Sequence, residues 1–239
     1  MKNIAYIMIY FKAIIMNKRL FNKKVYGEMA EITRALGNPH RLEILDLLSQ
    51  GPSSVAYISE NTSLTVANAS QHLQVLKQAK LLETERKGKN IFYRLSSRHV
   101  FDTWCALRKL GMSQNAEISR LIDDYRSNRN NLNIISKEEL SDKMKGGDII
   151  IIDVRPEEEY KIAHIEGALS IPLPDFHERV NELPADKAIV AYCRGPLCVM
   201  ADDAVDLLTR HGYKATRLEQ GFPEWKANGL PVEPFEITV

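Results

Sequence analysis

Residues 65–95, TVANASQHLQVLKQAKLLETERKGKNIFYRL, decide the fold of the N-terminal half. Ala69, Leu73 and Leu76 recur at helical spacing over about Thr65–Ala79, and polar residues fill the other faces. The runs Leu81–Arg86 and Ile91–Leu95 then flank Lys87-Gly88-Lys89-Asn90, which reads as two short strands around a basic hairpin tip. Upstream, helical periodicity begins near Tyr26 and puts Met29, Ile32, Ala35 and Leu36 on one face, with Gly37 closing it. Asn38-Pro39 starts a second helix carrying Leu42, Ile44, Leu45, Leu47 and Leu48. A short third helix fits Val55–Asn61, before the Thr62-Ser63 turn.

Helix, turn, helix and a cationic hairpin together have a specific physical use. The second helix of the pair enters the major groove and the wing follows the backbone to phosphates. Outward positions on that helix are Asn68, Ser70, Gln71, His72, Gln74 and Lys77. Asn and Gln pair bidentately with adenine, Ser with several base edges, and Lys with phosphate. Arg86, Lys87 and Lys89 at the wing add sequence-independent, salt-sensitive affinity. Polar residues on a helix are usually just a solvated face. Here the order of the elements, not the amides, favours the DNA-reading interpretation.

The stretches ITRALGNPHRLEILDLLSQG and NASQHLQVLKQAKLLETERKGKNIFYRL resemble the ArsR-type repressors. The resemblance covers about residues 26–110. It implies a winged helix-turn-helix homodimer on a double-stranded operator, with terminal helices packed together and recognition helices about 34 Å apart on an inverted repeat. Where many members carry a Cys-x-Cys pair, this chain reads Ser53-Ser54-Val55-Ala56-Tyr57. The terminal helix, about Ser97–Asn128, offers His99, Asp102 and Cys105, which cannot close a tetrahedral site. Cys105 is expected to be a small buried hydrophobe beside Trp104, and this half is expected to hold no metal.

Composition then changes sign. Residues 1–130 carry 20 Lys and Arg against 11 Asp and Glu, a net +9, whereas residues 131–239 carry 12 against 20, a net −8. The overall +1 of the 239-residue chain hides two halves of opposite charge. The polar, Asn-rich stretch at 126–133 reads as a linker, with the boundary near Asn130.

The acidic half alternates strand and helix. Asp148–Val154 is a continuous β-branched run, and 168–171, 188–192 and 215–218 are further short strands. Helical stretches at 137–145, 174–182, 199–211 and 223–228 separate them. That pattern predicts an α/β domain with a mostly parallel sheet covered on both faces. Chemistry in such a sheet sits beyond the carboxyl ends of the strands. There the chain reads Cys193-Arg194-Gly195-Pro196-Leu197-Cys198 and runs into a helix. Backbone N–H groups and a helix N-terminus around Cys193, with Arg194 beside it, are expected to lower its thiol pKa and make it a nucleophile.

Three motifs in this half resemble a single rhodanese domain over about residues 133–235. They are DVRPEEEYKIAHIEGALSIP at 153–172, Tyr192-Cys193-Arg194-Gly195, and Gly221–Trp225 through Gly229–Val232, with Gln220 in place of the family's preceding glycine. The resemblance implies sulfurtransfer. Cys193 attacks a thiosulfate or polysulfide donor, becomes a persulfide and passes sulfur to a thiol or cyanide. Asp153 and Arg155 are expected to support the loop with Gly195, and His164 to pack locally. The sixth residue after Cys193 is Val199, so the Cys-x5-Arg chemistry of phosphatases and arsenate reductases is disfavoured. Leu197 and Cys198 replace the small or polar residues of common members, leaving the donor open. Cys198 is a candidate resolving thiol, with helix packing as the alternative.

The sequence therefore predicts an N-terminal extension at 1–24, a mainly-α winged helix at 25–125, the linker, and the rhodanese domain at 134–239. Three cysteines suit a reduced, cytoplasmic protein, not a disulfide framework. The apolar leader MKNIAYIMIYFKAII is too short to span a bilayer, and Met16 is an equally good start. No cofactor and no membrane partner is called for. The expected function is a DNA-binding regulator, of repressor type, whose persulfide at Cys193 couples reactive sulfur to operator binding. The alternatives are a sulfurtransferase tethered to DNA without coupling, and a metal or metalloid sensor using Cys193 and Cys198.

Overall fold

A computed structural model describes residues 2–127, 129 and 132–233, with side chains from Asn17 onward. Contacts divide the chain into two compact units. The first comprises Met1–Leu45 and Ser53–Val100, the second Asp46–Pro52 and Phe101–Val239. Asn130, the compositional boundary, lies outside the described residues. Charge and packing thus divide the chain at different places.

Helix α1 runs from Lys2–Leu36, far longer than the helix expected from Tyr26. It is followed by α2 (Pro39–Leu48), β1 (Ser53–Ser54), α3 (Val55–Glu60), α4 (Val66–Gln78), β2 (Leu82–Lys87) and β3 (Asn90–Leu95). Ser54 and Thr65 cap α3 and α4, their hydroxyls accepting from the N–H groups of Tyr57 and Asn68 at 3.2 and 3.3 Å. Ala69, Leu73 and Leu76 are fully buried beside Ile58 and Leu64, as the helical period requires. Strands β2 and β3 pair antiparallel from Leu82↔Leu95 to Lys87↔Asn90, and β1 adds to β3. The two-residue wing turn needs positive φ at its first central position, and Gly88 supplies 62°.

Along the face of α1 that carries Met29, Ile32 and Ala35, Met29 and Ile32 are 57% and 42% exposed, while Ala35 is buried. Phe21, Val25, Met29 and Ile32 follow one another at four- and three-residue steps, and all are exposed.

The single terminal helix expected over 97–128 is two helices, α5 (Arg98–Gln114) and α6 (Ala116–Ser127). Asn115 breaks it: its side-chain oxygen accepts from the Glu117 N–H at 3.0 Å, the local bond by which Asn competes with helix continuation. Beyond lie β4 (Ile134–Ile135), α7 (Lys137–Gly146), β5 (Ile149–Asp153), α8 (Glu157–Ile162), β6 (His164–Ile165), β7 (Leu169–Ser170), α9 (Phe176–Arg179), β8 (Ala188–Tyr192), α10 (Met200–Arg210), β9 (Ala215–Leu218), α11 (Phe222–Ala227) and β10 (Val232–Glu233).

Five strands form one parallel sheet in the order β4-β9-β8-β5-β7. Both faces are covered. Along β8, Ile189 and Ala191 pack with Phe176, Val180, Ala204, Val205 and Leu208, whereas Val190 and Tyr192 pack with Leu140, Phe222 and Trp225. Period-two alternation between two buried faces explains why the sequence reads as an unbroken apolar run. The β6–β10 antiparallel pair was not expected. Two-residue strands leave no alternation to read. Among the described residues no helix is long and apolar enough to cross a membrane.

Candidate functional site: a DNA-reading helix and a dithiol loop

In the first unit, α4 presents Asn68, Gln71, Gln74 and Lys77 as exposed, with Ser70 and His72 half-buried. Two of these reach back to the hairpin. Gln74 Nε2 donates to the Tyr93 hydroxyl at 3.5 Å and Lys77 Nζ to Thr84 Oγ1 at 3.1 Å. Asn68, Ser70, Gln71 and His72, nearer the helix N-terminus, are the part a major groove would meet first. Burial and the neighbouring His40 and Arg41 push the His72 pKa down, favouring its neutral form. Arg86, Lys87 and Lys89 are exposed on the wing. Arg86 Nε donates to the Gly88 carbonyl at 3.2 Å, and the Lys87 ammonium lies 5.8 Å from the Phe92 ring centre.

In the second unit Cys193 follows β8, the central strand, at its carboxyl end. Asp153 occupies the corresponding end of β5, opposite Tyr192. Arg155 is wholly buried against Asp153, with Nε 2.9 Å from Oδ1 and Nη2 2.6 Å from Oδ2. The Tyr192 hydroxyl donates to the same carboxylate at 2.7 Å and accepts from the Ile165 N–H at 3.1 Å. The guanidinium carbon Cζ lies over the Phe222 ring, 4.2 Å from its centre. Arg155 reaches the cysteine loop through Gln50, which belongs to this unit. Arg155 Nη1 donates to Gln50 Oε1 at 3.2 Å, and Gln50 Nε2 donates to the Arg194 carbonyl at 3.0 Å.

Arg194 turns its guanidinium onto Glu159, which is almost fully buried, with Nε 2.8 Å from Oε1. Its charge is therefore pinned to a carboxylate on α8. On the other side of the loop Arg217 Nη2 donates to the carbonyls of Gly195 and Cys198 at 3.3 and 3.5 Å. Its Nε sits 3.1 Å from Asp202 of α10. Gly221 closes the arrangement. A Cβ there would lie 2.3 Å from the Arg194 carbonyl oxygen and 2.4 Å from the Gly195 nitrogen, so only glycine lets the two backbones meet.

The thiols depart from the sequence-based expectation. Cys193 is 3% exposed. Its sulfur lies 3.5 Å from the Cys198 carbonyl and 4.0 Å from that of Gly195, so its S–H meets oxygens that favour the thiol. Burial, then the hydrogen bond it gives to Cys198, push its pKa well above the ordinary value, although Arg217 and the Gly195 N–H oppose this. Pro196 removes one backbone donor from the loop. The cradle of N–H groups serves Cys198 instead. The hydrogen bond from Cys193 and the N–H groups of Met200 and Arg194 lower its pKa despite its burial. Cys105 is pushed up to about 11 by burial and by Glu224. His164 stacks on Tyr160 with ring centres 3.7 Å apart, and its Nδ1 is 3.0 Å from the Tyr160 carbonyl.

Arg217, Asp202, Glu159 and Gln50 escaped the sequence reading. Glu159 sits in the quoted rhodanese-like motif, and its place there was the available signal. The others are brought to the loop from separate elements.

The sequence matches the model of the helix-turn-helix domain over residues 36–85 and that of the rhodanese-like domain over residues 136–228. It is 37% identical over 206 residues to the HTH-type transcriptional regulator Rv0324 of Mycobacterium tuberculosis, an alignment covering 86% of this chain and 90% of that protein. The first half is 35% identical to the transcriptional repressor SdpR of Bacillus subtilis over 31% of this chain and 83% of the repressor. The second half is 30% identical to a sulfurtransferase of Allochromatium vinosum over 42% of this chain and 94% of that enzyme. Winged helix, parallel-sheet domain and a full-length relative together make this chain a member of the ArsR-type helix-turn-helix transcriptional regulators that carry a C-terminal rhodanese-like domain.

Proposed function

We propose that the protein is a dimeric, cytoplasmic operator-binding repressor that takes up sulfane sulfur on the loop of Cys193, and that the sulfur state of this loop sets its affinity for DNA. The observation that carries the reading is the loop itself. Two cysteines joined by a hydrogen bond lie at the carboxyl edge of the sheet, in a chain whose first half reads DNA. Gln50 supports the coupling. Its amide holds both the Arg194 carbonyl and Arg155, and the chain continues from it through β1 into α3. A change of loop shape therefore has a covalent route into the helix-turn-helix segment. Gln50→Leu should still load sulfur within about twofold of wild type but lose most of the operator response, a coupling of roughly 1.4 kcal/mol for a tenfold effect. Loading assayed by mass spectrometry beside operator titration checks this. An undiminished response in the variant would contradict the route.

The exposed stripe of α1 supports the homodimer, since a second copy would bury Phe21, Val25, Met29 and Ile32. Phe21→Asp combined with Ile32→Asp should convert dimer to monomer in sedimentation and abolish tight binding to an inverted repeat. At the wing, Lys87→Ala and Lys89→Ala should each weaken binding to all sequences and reduce the slope of log affinity against log salt by about 1 per protomer contact. A loss confined to one operator sequence would instead make them base readers.

A further inference from the structure

We infer that Arg217, reaching the thiol loop from β9, supplies the positive charge that lets buried Cys193 attack as a thiolate and then hold the transferred sulfur as a persulfide anion. The inference rests on the sulfur-carrying role of Cys193 proposed above and names the residue that prepares it. Cys193 is 3% exposed, and its sulfur lies 3.5 and 4.0 Å from the carbonyl oxygens of Cys198 and Gly195. Burial and those oxygens both disfavour an anion there. The loop offers little in compensation, because Pro196 has no N–H and the Arg194 guanidinium is held by Glu159. Arg217 Nη2 donates to the same two carbonyls at 3.3 and 3.5 Å, so it draws their negative charge away from the sulfur and sets its own charge beside them. The Arg217 charge is also the larger of the two influences that oppose the upward push of burial on the Cys193 pKa, the Gly195 N–H being the other.

The cluster behind Arg217 carries positive charge in excess. Arg217 Nε lies 3.1 Å from Asp202 Oδ1, and Arg126 Nε, on α6, lies 3.4 Å from the same oxygen. Arg126 Nη2 also donates to the Pro196 carbonyl at 3.3 Å. Two guanidiniums thus share one wholly buried carboxylate, a surplus of one positive charge against the loop. Arg126 is partly exposed whereas Arg217 is buried, so the unanswered charge falls on Arg217. Neighbouring cations are held by carboxylates of their own: Arg129 donates to Asp203 at 3.0 Å, and Arg108 lies between Glu224 and Asp46. A buried cation in excess is costly unless an anion answers it, and the Cys193 thiolate or persulfide is that anion. The transfer itself balances. Cys193 loses its proton to water, its thiolate attacks a terminal sulfur of tetrasulfide, one S–S bond of the donor breaks, and trisulfide leaves with the electron pair. The Cys193–S–S⁻ persulfide keeps the single negative charge that the thiolate brought, so Arg217 answers the same charge before and after transfer.

The test uses full-length protein. The rate at which iodoacetamide alkylates Cys193 is followed against pH, with trypsin cutting after Arg194 to separate Cys193 from Cys198. Arg217→Gln should raise the midpoint of that profile by about one pH unit and slow sulfur loading from anaerobic tetrasulfide at neutral pH about tenfold. Arg217→Lys, which keeps the charge, should recover part of both. Asp202→Asn removes the shared carboxylate but keeps an acceptor for Arg217, and should move the midpoint down. Damage to the fold does not produce shifts of opposite sign, and Asp202→Asn decides the sign even where Arg217→Gln does not fold. A midpoint for folded Arg217→Gln within about 0.3 pH units of wild type, whatever its melting temperature, would make Arg217 merely structural and overturn the inference. An upward shift in Asp202→Asn would overturn it too. Wild type that takes up no sulfur from tetrasulfide would overturn the sulfur-carrying reading instead.

Discussion

Asp153→Ala should lower the melting temperature of the second unit by roughly 6–20 °C, corresponding to about 3–5 kcal/mol for breaking a buried ion pair from one side. Arg155 is fully buried, and Asp153 accepts from its Nε, its Nη2 and its backbone N–H. The substitution leaves the guanidinium with the Ala163 carbonyl and Gln50, and takes the acceptor from the Tyr192 hydroxyl. Loss of the charge is the larger part of this cost. Asp153→Asn, which keeps an acceptor for Tyr192, should therefore destabilise less than alanine but still measurably. Calorimetry of the two variants beside wild type checks both statements. A shift of less than about 2 °C for alanine would mean that water or a rearranged partner satisfies Arg155.

Gly221→Ala should reduce the rate of sulfur loading on the order of a hundredfold and destabilise the second unit as well. The added methyl would meet the Arg194 carbonyl at 2.3 Å, backbone against backbone, and no rotamer relieves that. The neighbouring Phe222 N–H donates to the Cys193 carbonyl at 3.1 Å, so a shift at Gly221 moves the base of the thiol loop as well. Single-turnover loading from tetrasulfide, followed by mass, reads the effect. Loading at the wild-type rate would mean that the loop geometry tolerates displacement and that its cradle is not what prepares the sulfur.

Much of this architecture is legible in the sequence because it depends on local spacing. Ala69, Leu73 and Leu76 announce α4, and the positively wound Gly88 announces the wing. The unbroken run Ile149–Asp153 announces a strand buried on both faces. What failed depended on partners distant in the chain. Met29 and Ile32 have the right period for burial, but among the described residues they stay exposed, and period alone does not say whether core or second copy lies opposite. The break at Asn115 hangs on one side-chain bond to Glu117, to which hydrophobic periodicity is blind.

The site shows the same division. Its position at the end of β8 follows from strand order and the Cys193 motif. The protonation of its thiols does not follow, because it depends on which way peptide groups turn in a six-residue loop. Two carbonyls and the Gly195 N–H face Cys193, whereas the N–H groups of Met200 and Arg194 face Cys198, a division that the strand-loop-helix pattern does not reveal. Arg217 and Asp202, 15 residues apart on β9 and α10, form their pair under the loop only once the sheet is assembled.

The central claim is that sulfur on the Cys193 loop sets operator binding. Its most direct test is an anisotropy titration of a DNA duplex, selected from a random pool by the reduced full-length protein, before and after tetrasulfide treatment. The account predicts that treatment weakens wild-type binding about tenfold, or roughly 1.4 kcal/mol, that thiol reductant restores it, and that Cys193→Ser shows no change. Unchanged wild-type affinity in a sample whose mass shows Cys193 and Cys198 fully modified would contradict it.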